Sequence, residues 1–313
     1  MDLADDNDVR SGFARTDDGL ELYWRAVGSG EPALVCCNGV GVSTFFFKYV
    51  VEHFRERHRV VVWDYRGHGR SSLPPEPIDD ADLSIDRCAK DLACVLEAAG
   101  VTSPPLLLGH SMGCQVILEY ALRHPDGTAG LVPMFGTFSR PLDTFMDSPY
   151  SRRAFDTLHR VAKWGGKGGA RMLLPLYDSP IAFSFAAATG LLDKHYAGRT
   201  DIDKYLEHLA MLDPRIFLRM VSQAGEHDIE AELPDIGVPV LVIAGEKDLF
   251  TPLHRSTTMA ERIPGAELLV LAEASHAAIV EHPASINLRI ERFLRERVLP
   301  AGDQRTTDAS NVR

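Results

Sequence analysis

The sequence predicts an α/β fold: a mainly parallel twisted sheet with helices on both faces and an inserted helical cap. Three observations carry the prediction. Short, near-continuous apolar runs recur along the chain, as expected of strands buried on both faces of a parallel sheet. Segments of helical periodicity stand between them. The alternation stops between about residues 138 and 230, where helical stretches continue without a convincing strand, and then resumes.

The elements follow in order. Residues 1–11 are acidic and expected to be disordered. Runs 12–16 and 20–27 flank Asp17-Asp18-Gly19, an Asp-Gly turn that signals a hairpin. Residues 32–37 and 59–63 read as buried strands, with a helix over 43–56 between them. A helix over 84–99 ends at Gly100, a C-cap glycine. Residues 105–108 give a strand, 111–123 a helix stopped near Pro125, and 129–135 another strand. Beyond the helical stretch, 238–244 and 267–271 restore the sheet pattern, and 284–298 reads as a terminal helix. The expected division is a core of 12–137 and 231–299, a helical cap of 138–230, and a disordered tail of 300–313. Gly165-Gly-Lys-Gly-Gly169 lacks the spacing and the Ser/Thr of a phosphate loop and reads as a loop within the cap.

At 313 residues the chain can bury a sizeable core without disulfides or metal. Its net charge of −11 argues against nucleic acid or anionic lipid as partner. No apolar run reaches the roughly 18 residues of a spanning helix. The acidic N-terminus has no basic, apolar signal pattern, so a cytoplasmic protein is expected. Cys36, Cys37, Cys88, Cys94 and Cys114 are odd in number and lack a CxxC pair, which suggests reduced, buried thiols.

The strongest chemical signal is Gly109-His110-Ser111-Met112-Gly113, a G-x-S-x-G between an expected strand and an expected helix. So tight a turn needs glycine on either side and exposes the serine as a candidate nucleophile. A serine hydroxyl needs a base, and the base an orienting acid. His276 follows the last expected strand, at the edge where an open α/β sheet presents its site. His68, His110, His254 and His282 compete, and His110 should point away from the pocket. Asp248 follows the penultimate strand and is the candidate acid, with Glu246, Asp143 and Asp147 as rivals. Two backbone amides would complete the site by binding an oxyanion. Met112 follows the nucleophile at a helix N-terminus, and Val40 lies in the loop Asn38-Gly39-Val40-Gly41.

The elbow, Asp64-Tyr-Arg-Gly-His-Gly-Arg-Ser71, Gly245-Glu-Lys-Asp248 and Ser275-His276 together resemble the α/β-hydrolase superfamily, in its branch with a helical cap. The resemblance covers about residues 12–298, and the order Ser, Asp, His is the family's order. That family often carries His-Gly where this chain has Asn38-Gly39. A serine nucleophile counts against its epoxide hydrolases and haloalkane dehalogenases. The resemblance implies a cofactor-independent serine hydrolase, without metal, acting on a small apolar ester or lactone through an acyl-enzyme. A perhydrolase resembling cofactor-free haloperoxidases and a carbon–carbon bond hydrolase would use the same three residues. A non-catalytic receptor on the same fold is the alternative of a different class. Phe45, Phe46, Phe47, Phe138, Phe145, Phe183 and Phe185 are candidates for an apolar acyl pocket.

Overall fold

The computed structural model describes residues 8–164, 204–205, 207–209 and 211–299. The termini, the glycine run at 165–169, Phe183 and Phe185 lie outside the described residues. Strands β1 (Val9–Arg15) and β2 (Glu21–Val27) form the antiparallel hairpin turning at Asp17–Gly19. Val9 pairs with Val27, so the first strand takes in residues 9–11 that the sequence assigns to a frayed end. The long second strand supplies partners that far back.

Strand β3 (Leu34–Cys37) leads through a 3₁₀ turn (Thr44–Phe47) into α1 (Lys48–Phe54), then β4 (Val60–Trp63). The expected single helix over 43–56 is split because Asp64 fixes its start. The Asp64 carboxylate accepts the Ser43 hydroxyl at 2.5 Å and the Thr44 amide at 3.1 Å. Helix α2 (Ile85–Ala98) opens on Ser84, whose hydroxyl accepts the Arg87 amide at 3.2 Å. It buries one apolar stripe, including Cys88, Leu92 and Val95.

Strand β5 (Leu106–His110), helix α3 (Met112–Arg123) and strand β6 (Gly130–Met134) follow. Helices α4 (Pro141–Thr144), α5 (Ser151–Trp164) and α6 (Pro214–Ala224) lie between β6 and the next strand, and the described residues there add no strand to the sheet. That excursion leaves and returns through one neck. Ser139 and Asp228 form an antiparallel bridge there, and the Arg140 amide donates to the His227 carbonyl at 2.8 Å. The chain then forms β7 (Leu241–Gly245), α7 (Leu253–Arg262), β8 (Glu267–Leu271), α8 (Ala278–Glu281) and α9 (Pro283–Phe293). A π-helical turn at Leu294–Val298 ends the expected terminal helix.

The eight strands run β1-β2-β4-β3-β5-β6-β7-β8, parallel from β4 onward. Chain direction across the sheet reverses beside β3, between β4 and β5, which is where open α/β sheets open a crevice at their strand ends. Apolar layers cover both faces: Leu92, Val116 and Leu107 on one, Phe54, Leu108 and Phe293 on the other. No helix among the described residues is long and apolar enough to cross a membrane.

A buried ion cluster that the sequence did not signal holds the turn after β4. Arg66, only 2% exposed, forms a two-pronged pair with Asp91 at 2.7 Å and 2.7 Å, and Asp91 is fully buried. Arg87 adds a 3.0 Å bond to Asp91, and Asp18 receives a further Arg66 N–H at 2.8 Å. Removing one member would strand charges without water. Asp91→Ala should therefore cost roughly 3–5 kcal/mol, read as a drop in the urea midpoint.

Burial raises the Asp18 carboxyl, but hydrogen bonds from Arg66 and Thr16 outweigh it and hold the pKa at about 2. The folded value lies below the ordinary 3.8, so the contribution is complete above that value and is lost as pH falls toward 2. Asp18→Asn should lower the melting temperature at pH 6. The gap to the parent should close between about pH 4 and pH 2.

Candidate active site

The site is assembled where β3, β5, β7 and β8 end. Ser111 lies between β5 and α3 with φ 56° and ψ −120°, a backbone state that a side-chain-bearing residue adopts only when its surroundings force it. The surroundings are close. A Cβ on Gly109 would stand 2.5 Å from the Gly113 carbonyl oxygen, and one on Gly113 would strike the Cys37 carbonyl. The flanking glycines therefore let β3, β5 and α3 meet at contact distance.

The Ser111 side chain is not spent on capping α3. Its Oγ lies 3.0 Å from His276 Nε2, and His276 Nδ1 lies 2.8 Å from Asp248 Oδ2. The carboxylate of Asp248 accepts three further donors: the amides of Phe250 and Thr251, each at 2.9 Å, and the Thr251 hydroxyl at 2.7 Å. An oxygen so placed accepts the Nδ1 proton, which leaves the Nε2 lone pair toward the serine hydroxyl. Asp248 and His276 are both buried. The Phe250 ring stacks on His276 with centroids 5.2 Å apart, and Phe145 meets Phe250 edge-on.

The rival residues are occupied elsewhere. Glu246 accepts the Glu273 amide on the exposed face of the β7 loop. Asp143 pairs with Arg152, and Asp147 stands 3.9 Å from an exposed His254. His282 sits at the junction of α8 and α9. His68 donates from Nδ1 to the Arg66 carbonyl at 3.2 Å and accepts the Gly41 amide at Nε2, 3.1 Å away. Burial lowers its pKa to about 4, which keeps Nε2 an acceptor.

The loop after β3 runs directly beside Ser111. Asn38 donates from Nδ2 to the Trp63 carbonyl at 3.1 Å, and a Cβ on Gly39 would lie 2.9 Å from Ser111 Cβ and 3.4 Å from its Oγ. No hydrogen bond among the described residues takes up the amide of Val40 or of Met112. The phenylalanines divide. Phe46, Phe47 and Phe138 are buried in packing, Phe138 beneath the Arg255 guanidinium, while Phe45 is half-buried against His208.

The sequence has His110 facing away from the pocket; in the structure its ring is buried, packs 5.0 Å from that of His276, and its Nε2 lies 3.0 Å from the His276 carbonyl. Sequence spacing marked neither these contacts nor Phe250. Thr251, three residues after Asp248, matches the local pattern of a carboxylate capping its own turn and was detectable.

A family model described as the α/β hydrolase fold matches residues 32–283. The chain belongs to this family. A Caulobacter segnis protein that bears the name carbamate hydrolase RutD is 30% identical over 270 residues, covering 85% of this chain and 92% of the relative. Its namesake in Agrobacterium fabrum is 27% identical, covering 84% and 93%. Among solved structures, a hydrolase from Pseudomonas aeruginosa PA01 is 25% identical with a TM-score of 0.72, covering 91% of this chain and 98% of that one. A thermophilic esterase from Thermogutta terrifontis, at 24% identity and the same TM-score of 0.72, covers 93% and 100% and shares the fold. Family membership and these relatives support hydrolysis as the class of reaction.

In this α/β hydrolase the approach of Gly39 to Ser111 admits no side chain. Gly39→Ala should leave the melting temperature within a few degrees but lower turnover by about 10²-fold, because ångström-scale misplacement costs that much. Turnover of a chromogenic ester beside the circular dichroism melt checks both halves.

Proposed function

We propose that the chain is a serine hydrolase that cleaves a carboxylic ester or lactone through an acyl-enzyme on Ser111. The observation that carries this reading is the unbroken relay Ser111 Oγ–His276–Asp248 at 3.0 Å and 2.8 Å. His276 Nε2 takes the hydroxyl proton as Oγ attacks the carbonyl carbon. Asp248 holds the ring in the tautomer this needs and stabilises the imidazolium. The amides of Val40 and Met112 face the negative oxygen of the tetrahedral intermediate, at worth roughly 3–4 kcal/mol per donor in such sites. The imidazolium returns its proton to the departing alkoxide. Water, activated by the same nitrogen, then cleaves the acyl-enzyme and restores Ser111.

The stretch 138–230 serves as the cap, and its neck at Ser139 and Asp228 supports that assignment. With Phe145 above Phe250, it brings apolar surface to the base. No step of the scheme needs a cofactor or a metal.

A second reading keeps the machinery and changes the acyl group. Relatives named carbamate hydrolase cover more than nine-tenths of their own length against this chain, so a carbamate is the competing substrate. Its carbonyl would be attacked in the same way, with carbamic acid as product.

The test is a panel of p-nitrophenyl esters, lactones and a p-nitrophenyl carbamate on the parent, Ser111→Ala and Asp248→Asn. Ser111→Ala should abolish nearly all turnover. Asp248→Asn should lose on the order of 10⁴-fold, since the amide permits the wrong imidazole tautomer. Turnover by Ser111→Ala at the parent's rate would overturn the mechanism. Faster carbamate than ester turnover would move the substrate to the second reading.

A further inference from the structure

His110 is covalently joined to the serine and hydrogen-bonded to the base. It is 3% exposed, and its ring is enclosed by Phe46 at 4.7 Å, Phe135 at 6.2 Å and His276 at 5.0 Å. A carbonyl oxygen only accepts, so Nε2 carries a proton and donates it to the His276 carbonyl at 3.0 Å. Nδ1 is then bare. It has no hydrogen-bond partner among the described residues, and it faces the loop after β3, where a Cβ on Gly39 would stand 3.3 Å away. Burial, and next the neighbouring His276, lower the pKa to about 3, so the ring is neutral throughout the working range.

One imidazole therefore touches three separate chain segments. It precedes Ser111, ties to the backbone of His276, and abuts the loop that holds Val40. A buried hydrophobe would fill the same volume but could not donate to the carbonyl. We propose that His110 is a positioning residue that sets the reach of His276 Nε2 to Ser111 Oγ. This rests on Ser111 and His276 being nucleophile and base. The His110 Nε2–H holds the backbone of residue 276 from below, Asp248 holds its ring from the side, and Phe250 covers it. Proton transfer is sensitive to this distance, whereas ground-state binding of an ester is not, so the tie acts on turnover rather than affinity.

Two amide variants separate positioning from filling. In His110→Gln the side-chain nitrogen reaches the place of Nε2, and in His110→Asn it stops at the place of Nδ1. The readouts are kcat and KM on p-nitrophenyl acetate, the rate of Ser111 labelling by a fluorophosphonate, and the pH profile of kcat/KM. His110→Asn should lose about 10–100-fold in kcat and in labelling rate, with KM within about threefold. The acid limb of its pH profile should shift, because the base no longer sits in the same field and geometry. His110→Gln should recover kcat to within about threefold of the parent and restore the profile. If the Asn variant does not fold, His110→Leu carries the same arm.

Equal turnover and labelling in the Asn variant and the parent would overturn the proposal. So would equal losses in Asn and Gln variants that follow their melting temperatures with the pH profile unmoved, since that describes packing alone. Failure of the parent itself to label at Ser111 would instead defeat the nucleophile assignment beneath it.

Discussion

The close approach of three backbones at Ser111 is the constraint on which the site depends. The end of β3, the end of β5 and the first turn of α3 meet with no room for a Cβ at Gly109 or Gly113. The serine is consequently held at positive φ, and the strain is borne by the sheet around it. Because β3 and β5 are adjacent and parallel, with Cys37 opposite Gly109, the loop after β3 is delivered beside the hydroxyl. Loosening this contact would release both Ser111 and the candidate oxyanion donors.

Each remaining part is tied back to that point by buried polar bonds. Arg66 and Asp91 fix the turn after β4, and His68 at its tip accepts the Gly41 amide of the loop after β3. Asp64, whose pKa burial raises although Ser43, Arg70 and Thr44 donate to it, secures the start of the 3₁₀ turn beyond that loop. On the other side, His110 reaches the backbone of His276, and the Ser275 hydroxyl, one residue before it, donates to Glu281 at 2.8 Å. The candidate site is thus preorganised by neutral imidazoles and paired charges within an apolar sheet.

Much of this was legible from local patterns. The Asp-Gly hairpin, the buried strands, Gly100 at the end of α2 and the G-x-S-x-G turn are short-range signals, each written within a few residues. The positions of Asp248 and His276 followed from a rule about strand ends, and the structure brings both to Ser111. What escaped the sequence is long-range. Asp91 meets Arg66 from a helix that gives no sign of facing an arginine, and Phe250 reaches His276 only through the folding of two loops. The contacts of His110 have the same origin: alternation along a strand predicts its face, but not that the backbone of His276 meets it there.

The proposed mechanism requires Ser111 to become acylated during turnover. Mass spectrometry of the peptide carrying Ser111, after rapid quenching of the enzyme during p-nitrophenyl ester turnover, tests this most directly. An added acyl mass should appear on Ser111, formed in step with a burst of nitrophenol and absent from Ser111→Ala. Steady turnover with no acyl mass on Ser111, or with the acyl group on another residue, would contradict it.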